Sequence, residues 1–312
     1  MNPSISVICP SFNRAPFLGA SIVPVMALPE SEFILVDDGS TDDTIEIAHS
    51  LQARYGENRI IVIPLAGNQG AQIARNQGID RARGEFILFC DSDDVLVASG
   101  VRSLADTLTR TPSLDYVYGK VVMTDATLVP LAGVETIGGP FQECPFEMAG
   151  YHWHTMGALY RRSYLEKVGP WNPDLTGSQD WEYQARVKLG GGKGQFIDTL
   201  VGYWRQHEGG RVGTRKFRPD YIRSVVTACD VILAFSIKEK KCDRPLKRRL
   251  AKKLIMHGLE CGEARDAKLH SLCFSRAQHA LYGDFAAQGC CALFAILPLS
   301  LNGVVKRIIS RN

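Results

Sequence analysis

The sequence predicts an α/β fold, a mostly parallel sheet flanked by helices, followed by a C-terminal helical extension. Three observations carry this. Short continuous apolar runs alternate with helix-like stretches through about the first 125 residues, the pattern of strands covered on both faces. Each of the first four runs ends in a polar, turn-forming cluster. From Phe217 onward the texture turns helical and strongly basic.

In chain order, Ile5–Cys9 reads as a strand and Ala15–Leu28 as a helix with a break near Pro24. Phe33–Val36 is a second strand. A hydroxyl in Gly39-Ser40-Thr41 is placed to cap a helix running to about Arg54. Ile60–Ile63 is the third strand, Ala71–Arg83 a helix closed by Gly84, and Phe86–Cys90 the fourth strand. Leu104–Leu108 belongs to a further helix, and Tyr116–Met123 is strand-like. Beyond about residue 125 the pattern is irregular, with Gly138-Gly139-Pro140 marking a loop and Ala158–Tyr160 a short strand. Gln179–Leu189 is helical and ends at Gly190-Gly191-Gly192. Tyr221–Lys240, Leu246–Gly262 and Ala267–Tyr282 are the helices of the tail.

The charge is divided along the chain. Residues 1–216 hold 19 Lys and Arg against 25 Asp and Glu, a net −6, and residues 217–312 hold 17 against 8, a net +9. A basic tail favours anionic partners, or is a solvated helix face. The nine cysteines include no C-x-x-C pair, which fits reduced, packed thiols in a cytoplasmic protein and disfavours structural zinc. The N-terminal apolar run is too short for a signal peptide. From Phe285 to Val305 there is no charged residue, close to the roughly 20 residues of a spanning helix. Gln288, Gly289, Pro298, Ser300 and Asn302 dilute it, so interfacial and buried readings stand beside the spanning one.

In open parallel sheets ligands bind at the carboxyl ends of the strands. The four clusters expected there are Pro10-Ser11-Phe12-Asn13-Arg14, Asp37-Asp38-Gly39-Ser40, Gly67-Asn68-Gln69-Gly70 and Asp91-Ser92-Asp93-Asp94. Phe12 offers a flat face to a base, and Asp37 or Asp38 an acceptor for a base N–H or ribose hydroxyl. Arg75 suits phosphate or ribose oxygens. Asp91 and Asp93 form a D-x-D at a strand end, where carboxylates converge on a hard divalent ion. Alone, each cluster is also an ordinary turn; their common placement is what points to a site.

Val7–Arg14, Val36–Asp42, Asn68–Gly78 and Gly84–Asp94 together resemble the opening motifs of glycosyltransferase family 2. The resemblance covers about residues 4–210. It implies a GT-A-type fold, an inverting transfer from a nucleotide diphosphate sugar, and a divalent cation, Mn²⁺ or Mg²⁺. It also implies a catalytic domain at 1–216, with a nucleotide-sugar half to about 125 and an acceptor half at 126–216, before the basic helical extension at 217–312. Carried over by position, Pro10, Phe12, Asp38 and Arg75 hold the nucleoside, with Asn13, Arg14, Asp37, Asn68 and Gly70 completing the donor site. Asp91 meets ribose or metal, and Asp93 is the principal metal ligand. Gln179-Asp180-Trp181 resembles the family's Glu-Asp motif, which makes Asp180 the general base; Gln179 departs from the usual Glu. Tyr203–His207 resembles a Tyr-x-Arg-x-His stretch, giving Arg205 to phosphate and His207 to the metal, although a lone histidine before Gly209-Gly210 also reads as an exposed loop residue.

The implied partners are a nucleotide diphosphate sugar and a saccharide or lipid-linked acceptor, with no nucleic acid. The acceptor contacts fall around Pro140–His154. Residues 217–312 suit peripheral contact at the cytoplasmic face of a membrane, or a homodimer. A catalytically silent nucleotide-sugar-binding relative is the alternative, and Gln179 is its best support. A nucleotidyltransferase is disfavoured because no Gly-rich basic loop follows strand one, and a nicotinamide dehydrogenase because no G-x-G-x-x-G opens the first helix.

Overall fold

The four strands that read as continuous apolar runs form one half of the sheet. β1 (Ile5–Ser11) and β2 (Ser31–Asp37) are buried at every residue, as strands covered on both faces must be. With β3 (Ile60–Pro64) and β4 (Phe86–Phe89) they pair in parallel in the order β3-β2-β1-β4. The computed structural model describes residues 4–133, 136–139, 153–207, 218–264, 266–284, 287–288 and 291.

Beyond β4 the sheet becomes mixed. β7 (Ala158–Arg161) runs antiparallel to β4 and to β6 (Tyr116–Thr124). β6 is parallel to β8 (Gly194–Arg205), whose far side takes the two-residue β5 (Val95–Leu96). The whole order is β3-β2-β1-β4-β7-β6-β8-β5. Neither β5 nor β8 follows from hydrophobic pattern, since β8 is half-exposed over most of its length and carries Asp198 and Gly202 in its run.

The carboxyl ends of β1, β2 and β4 lie level. Ser11 stands opposite Asp37, and the Cys90 amide still donates to Ile8 at 3.0 Å just past β4. Around these strands pack α1 (Ala15–Met26), α2 (Thr44–Tyr55), α3 (Ala71–Arg81) and α4 (Ala98–Arg110), with α5 (Arg162–Val168) after β7. The break expected near Pro24 is absent, because the proline sits in the last turn of α1, where a missing N–H costs a single bond. Nor does Ser40 cap α2. Its hydroxyl accepts from the Asn13 amide and donates to Asp37, a use of the loop for tertiary contact instead of helix initiation.

The chain divides into two compact units, residues 1–173 with 190–209, and residues 174–189 with 210–312. The second unit contains α6 (Gln179–Leu189), α7 (Pro219–Lys238), α8 (Arg244–Glu263) and α9 (Ala267–Ala280). Ser224 on α7 holds the chain before α6, accepting from the Gly177 amide at 3.0 Å and donating to its carbonyl at 2.6 Å. Much of the basic charge on α8 is used internally. Arg244 and Arg248 both grip Asp284, at 2.8 and 2.7 Å. Lys247 donates to the Tyr282 carbonyl and Lys253 lies over the Trp181 ring. Hydrogen bonds from Arg244 and Arg248 hold the Asp284 carboxyl well below the usual carboxylate range. That pairing therefore stabilises the helices at neutral pH and is lost only as acidification passes down through the lowered value. Among the described residues no helix is long and apolar enough to cross a membrane. Most of Phe285–Val305, the 140–152 stretch expected to meet the acceptor, and the 216/217 boundary lie outside the described residues.

One buried charge ties the amino ends of the central strands. Glu32 on β2 is fully buried and accepts from the Ser6 hydroxyl at 2.6 Å and from the Arg83 amide and Nε at 2.7 Å each. Removing one partner of such a pair leaves the others desolvated and unsatisfied. Glu32→Ala is expected to lower stability by about 3 kcal/mol in urea unfolding; a loss below about 0.5 kcal/mol would mean the network contributes little.

Candidate active site

The four polar clusters meet where the parallel strands end, and hydrogen bonds lock three of them to one another. Asn13 adopts a left-handed backbone, φ 54°. Its amide donates to Ser40 Oγ at 2.8 Å, and its own Oδ1 accepts from the Thr41 amide at 2.8 Å. The Arg14 amide donates to Thr44 Oγ1 at 2.9 Å. Asp37 turns back on its own loop, accepting from the Ser40 hydroxyl and amide. Asp38 reaches the third cluster, where the amides of Gln69 and Gly70 donate to its two oxygens at 2.7 and 2.8 Å. Between these loops Gly39 has φ 80°, and a Cβ there would fall 2.7 Å from the Gly67 Cα, so no side chain fits. Pro10 is buried in β1, while Phe12, 39% exposed, and Asn68 stand at the open rim.

The D-x-D cluster divides its work. Asp91 pairs with Arg75 at 2.7 Å, and the buried Arg75 guanidinium lies 4.5 Å over the ring of Trp171. Trp171 is fixed in turn by Asn76, whose side chain bonds both its amide and its carbonyl. Asp93 Oδ2 lies 2.8 Å from His207 Nε2 and 3.4 Å from Arg14 Nε. His207 is no exposed loop residue: its side chain is 6% accessible and its ring lies tilted against Phe17 on α1, 4.5 Å between centroids. Asp94 is structural. Its Oδ1 accepts the Arg205 amide at 2.9 Å and its carbonyl accepts the Ser21 hydroxyl, which fastens the end of β8 to the cluster. The Arg205 guanidinium lies over the Phe17 ring, 5.1 Å from its centroid. It is buried, and its Nε has no hydrogen-bond partner among the described residues, as suits a group kept for an anion.

Charge is concentrated here. Burial first, and then the Asp91 and Asp93 carboxylates, push the Cys9 thiol well above its ordinary value, so Cys9 is packed and inert. Among the described residues no three His, Cys, Asp or Glu side chains come together as a metal cage. The Asp93–His207 pair nonetheless fits a hard cation that takes one or two protein ligands and completes its shell with phosphate oxygens and water.

Asp180 lies in the helical unit, on the first turn of α6, half-buried, its Oδ1 accepting the Trp181 amide at 2.8 Å. Burial, with a contribution from the Asp180 charge, raises the hydroxyl of Tyr221, which also bonds Ser178 at 3.2 Å.

The family model for glycosyl transferase family 2 matches residues 6–169, more than half of the chain. The chain belongs to glycosyl transferase family 2. A PGL/p-HBAD biosynthesis glycosyltransferase of Mycobacterium bovis is 31% identical over 193 residues, 59% of this chain and 69% of that protein. Among solved structures, S. aureus TarS 1-349 in complex with UDP-GlcNAc superposes with a TM-score of 0.62 at 18% identity, covering 92% of this chain and 89% of that one. The mannosyltransferase PcManGT of Pyrobaculum calidifontis, in complex with GDP-Man and Mn²⁺, gives 0.58 at 17% identity over 99% and 85%. These likenesses show the fold, a GT-A-type mixed sheet flanked by helices.

Around these clusters, Phe17, Trp171 and the Thr44 hydroxyl are the residues that motif reading passes over, while Ser40 and Asp94 stand in the clusters without an assigned role. Asp94 carries a sequence signal, as the third acid of its cluster; the first three act by contacts that close over long sequence separation. The loop clasp can be tested at Gly39. Gly39→Ala must push the second loop off Gly67 and strain φ, so the bonds from Gln69 and Gly70 to Asp38 are lost. Nucleotide affinity is expected to fall about tenfold or more with the chain still folded, as read by calorimetry with UDP and GDP; unchanged affinity would separate the clasp from the donor site.

Proposed function

We propose that this protein is an inverting, metal-dependent glycosyltransferase that moves a sugar from a nucleotide diphosphate donor to a hydroxyl acceptor. The observation that carries the reading is the strand-end set itself: the Asp93–His207 pair, Asp91 held by Arg75, and a buried Arg205. The UDP-GlcNAc and GDP-Man in the TarS and PcManGT complexes support the donor class, and the Mn²⁺ of the latter supports the cation. The mycobacterial relative's name supports a place in polysaccharide or glycoconjugate synthesis.

Each group has a task set by its chemistry. Phe12 at the rim offers a face to the base. Asp38 and Asp37, with Pro10, Asn13, Asn68 and Gly70, shape the nucleoside pocket through the loops they lock. Arg75 and Asp91 meet the ribose side, and Arg14 and Arg205 the diphosphate, where guanidinium forks match phosphate oxygens. Asp93 and His207, with Asp91 at their side, hold Mn²⁺ or Mg²⁺. When bound, the cation offsets charge growing on the departing nucleotide diphosphate. Asp180 removes the proton of the acceptor hydroxyl as its oxygen bonds the anomeric carbon from the side opposite the leaving group, a role worth roughly a hundred- to ten-thousand-fold. One displacement with one base gives inversion. Gln179, neutral where a Glu is usual, favours the alternative of a silent donor-binding relative, which would bind nucleotide sugar yet transfer nothing. The acceptor is a saccharide or a lipid-linked chain, met in the cytoplasm. The basic tail at 217–312 serves contact with the cytoplasmic face of the membrane or with a second copy of the chain.

Two carboxylates should fail in opposite ways. Asp180→Asn is expected to abolish transfer and leave donor affinity nearly intact, whereas Asp93→Ala should remove the Mn²⁺-dependent part of donor affinity. Calorimetry alongside a transfer assay reads both. Donor binding lost in Asp180→Asn would move that residue to the donor site, full activity of Asp93→Ala would sink the metal assignment, and wild-type binding without transfer would favour the silent relative.

A further inference from the structure

Asp93 Oδ2, the oxygen assigned above to a divalent cation, already faces a cation of the chain itself. Arg14 Nε lies 3.4 Å from it, on the same oxygen that meets His207 at 2.8 Å. Both partners are largely buried, the side chains of Arg14 and Asp93 being 19% and 12% accessible, so water screens the pair only weakly.

Arg14 is held in this place by its surroundings. Its amide is fixed by Thr44 Oγ1. Its guanidinium also donates to the carbonyls of Phe12 at 3.3 Å and Asn13 at 3.0 Å. The left-handed turn at Asn13 that aims it is pinned from the second loop by Ser40 and Thr41. These contacts hold the Arg14 guanidinium beside Asp93.

We infer that Arg14 is an internal counter-ion that satisfies Asp93 until a nucleotide diphosphate draws it off, so that the divalent cation binds with the nucleotide and poorly before it. The reasoning is electrostatic. A guanidinium and a divalent cation cannot both sit against one carboxylate oxygen without strong repulsion. Phosphate oxygens give a guanidinium a better partner than a single carboxylate oxygen at 3.4 Å, since they accept its fork in two parallel bonds. A diphosphate therefore removes the competitor and brings further ligands for the metal in the same event. By linkage, nucleotide and metal raise each other's affinity by one common factor, and Arg14 contributes part of that factor. Arg14 is a positioning residue in this account, acting on the metal through Asp93. The inference rests on the metal-dependent reading above and extends it to the order of binding.

The test is calorimetric titration of Mn²⁺ into the full chain, alone and with saturating UDP or GDP, for wild type, Arg14→Gln and Arg14→Lys. Arg14→Gln is expected to take Mn²⁺ alone about tenfold more tightly than wild type and to show a correspondingly smaller enhancement by nucleotide. Arg14→Lys keeps the charge and should keep the suppression, which also guards against a glutamine variant that folds poorly. Equal or weaker binding of Mn²⁺ alone to a folded Arg14→Gln overturns the counter-ion role while leaving the metal site in place. Wild type that takes no Mn²⁺ even with UDP or GDP overturns the metal-dependent reading and this inference with it.

Discussion

A carboxylate buried at the end of a parallel strand has to be paired, and this site is organised by that requirement. Asp37, Asp38, Asp93 and Asp94 are all buried, and each finds a different partner. Asp37 takes the amide and hydroxyl of Ser40 in its own loop, Asp38 two amides of a neighbouring loop, Asp94 the amide of Arg205, and Asp93 the side chains of His207 and Arg14. Unpaired, any of them would cost several kcal/mol. The pairing fixes the loops that carry Phe12, Arg14 and Asp91 at the strand ends.

This separates acids that hold structure from acids that do chemistry. Asp38 has both oxygens, and Asp94 one, engaged with backbone amides, which no ligand displaces cheaply, so they hold the loops in place. Asp91 and Asp93 are engaged with charged side chains, and side chains can move. In the function proposed above, a donor arriving with its own negative charge would compete for Arg75 and Arg14 and so free Asp91 and Asp93 for a cation. Away from the site, Glu32 at the other end of the strands shows the purely structural version, a carboxylate with no ligand to exchange for.

Strands β1 to β4 and the tail helices are legible in the sequence because each strand is built around a short unbroken apolar run, and a long amphipathic helix repeats its signal. β8 is not legible, since its half-exposed pattern mixes Asp198 and two glycines with apolar residues, and its identity comes from pairing with β6 and β5. The site follows the same division. The clusters at the strand ends are local and visible. Their connections are not: Asp93 to His207 spans 114 residues and Asp38 to Gly70 spans 32. Sequence reading assigns Arg75 to a ligand, but its pairing with Asp91 and its seat on Trp171 depend on where β4 and the chain after α5 bring those residues. His207 is the sharpest case: sequence offers it as a metal ligand or an exposed loop histidine, and only the fold sets its largely buried ring against Asp93.

The central claim is that these strand ends bind a nucleotide diphosphate sugar and a divalent cation as one unit. Thermal unfolding with a panel of nucleotide sugars including UDP-GlcNAc and GDP-mannose, each with Mn²⁺ or with excess chelator, tests it directly, because a ligand of the native state raises the melting temperature. The account predicts that at least one nucleotide sugar raises it by several degrees with Mn²⁺ and by clearly less with chelator, a hundredfold excess over Kd being worth about 2.7 kcal/mol. Melting temperatures unmoved by every donor, or moved equally with and without the cation, would contradict it.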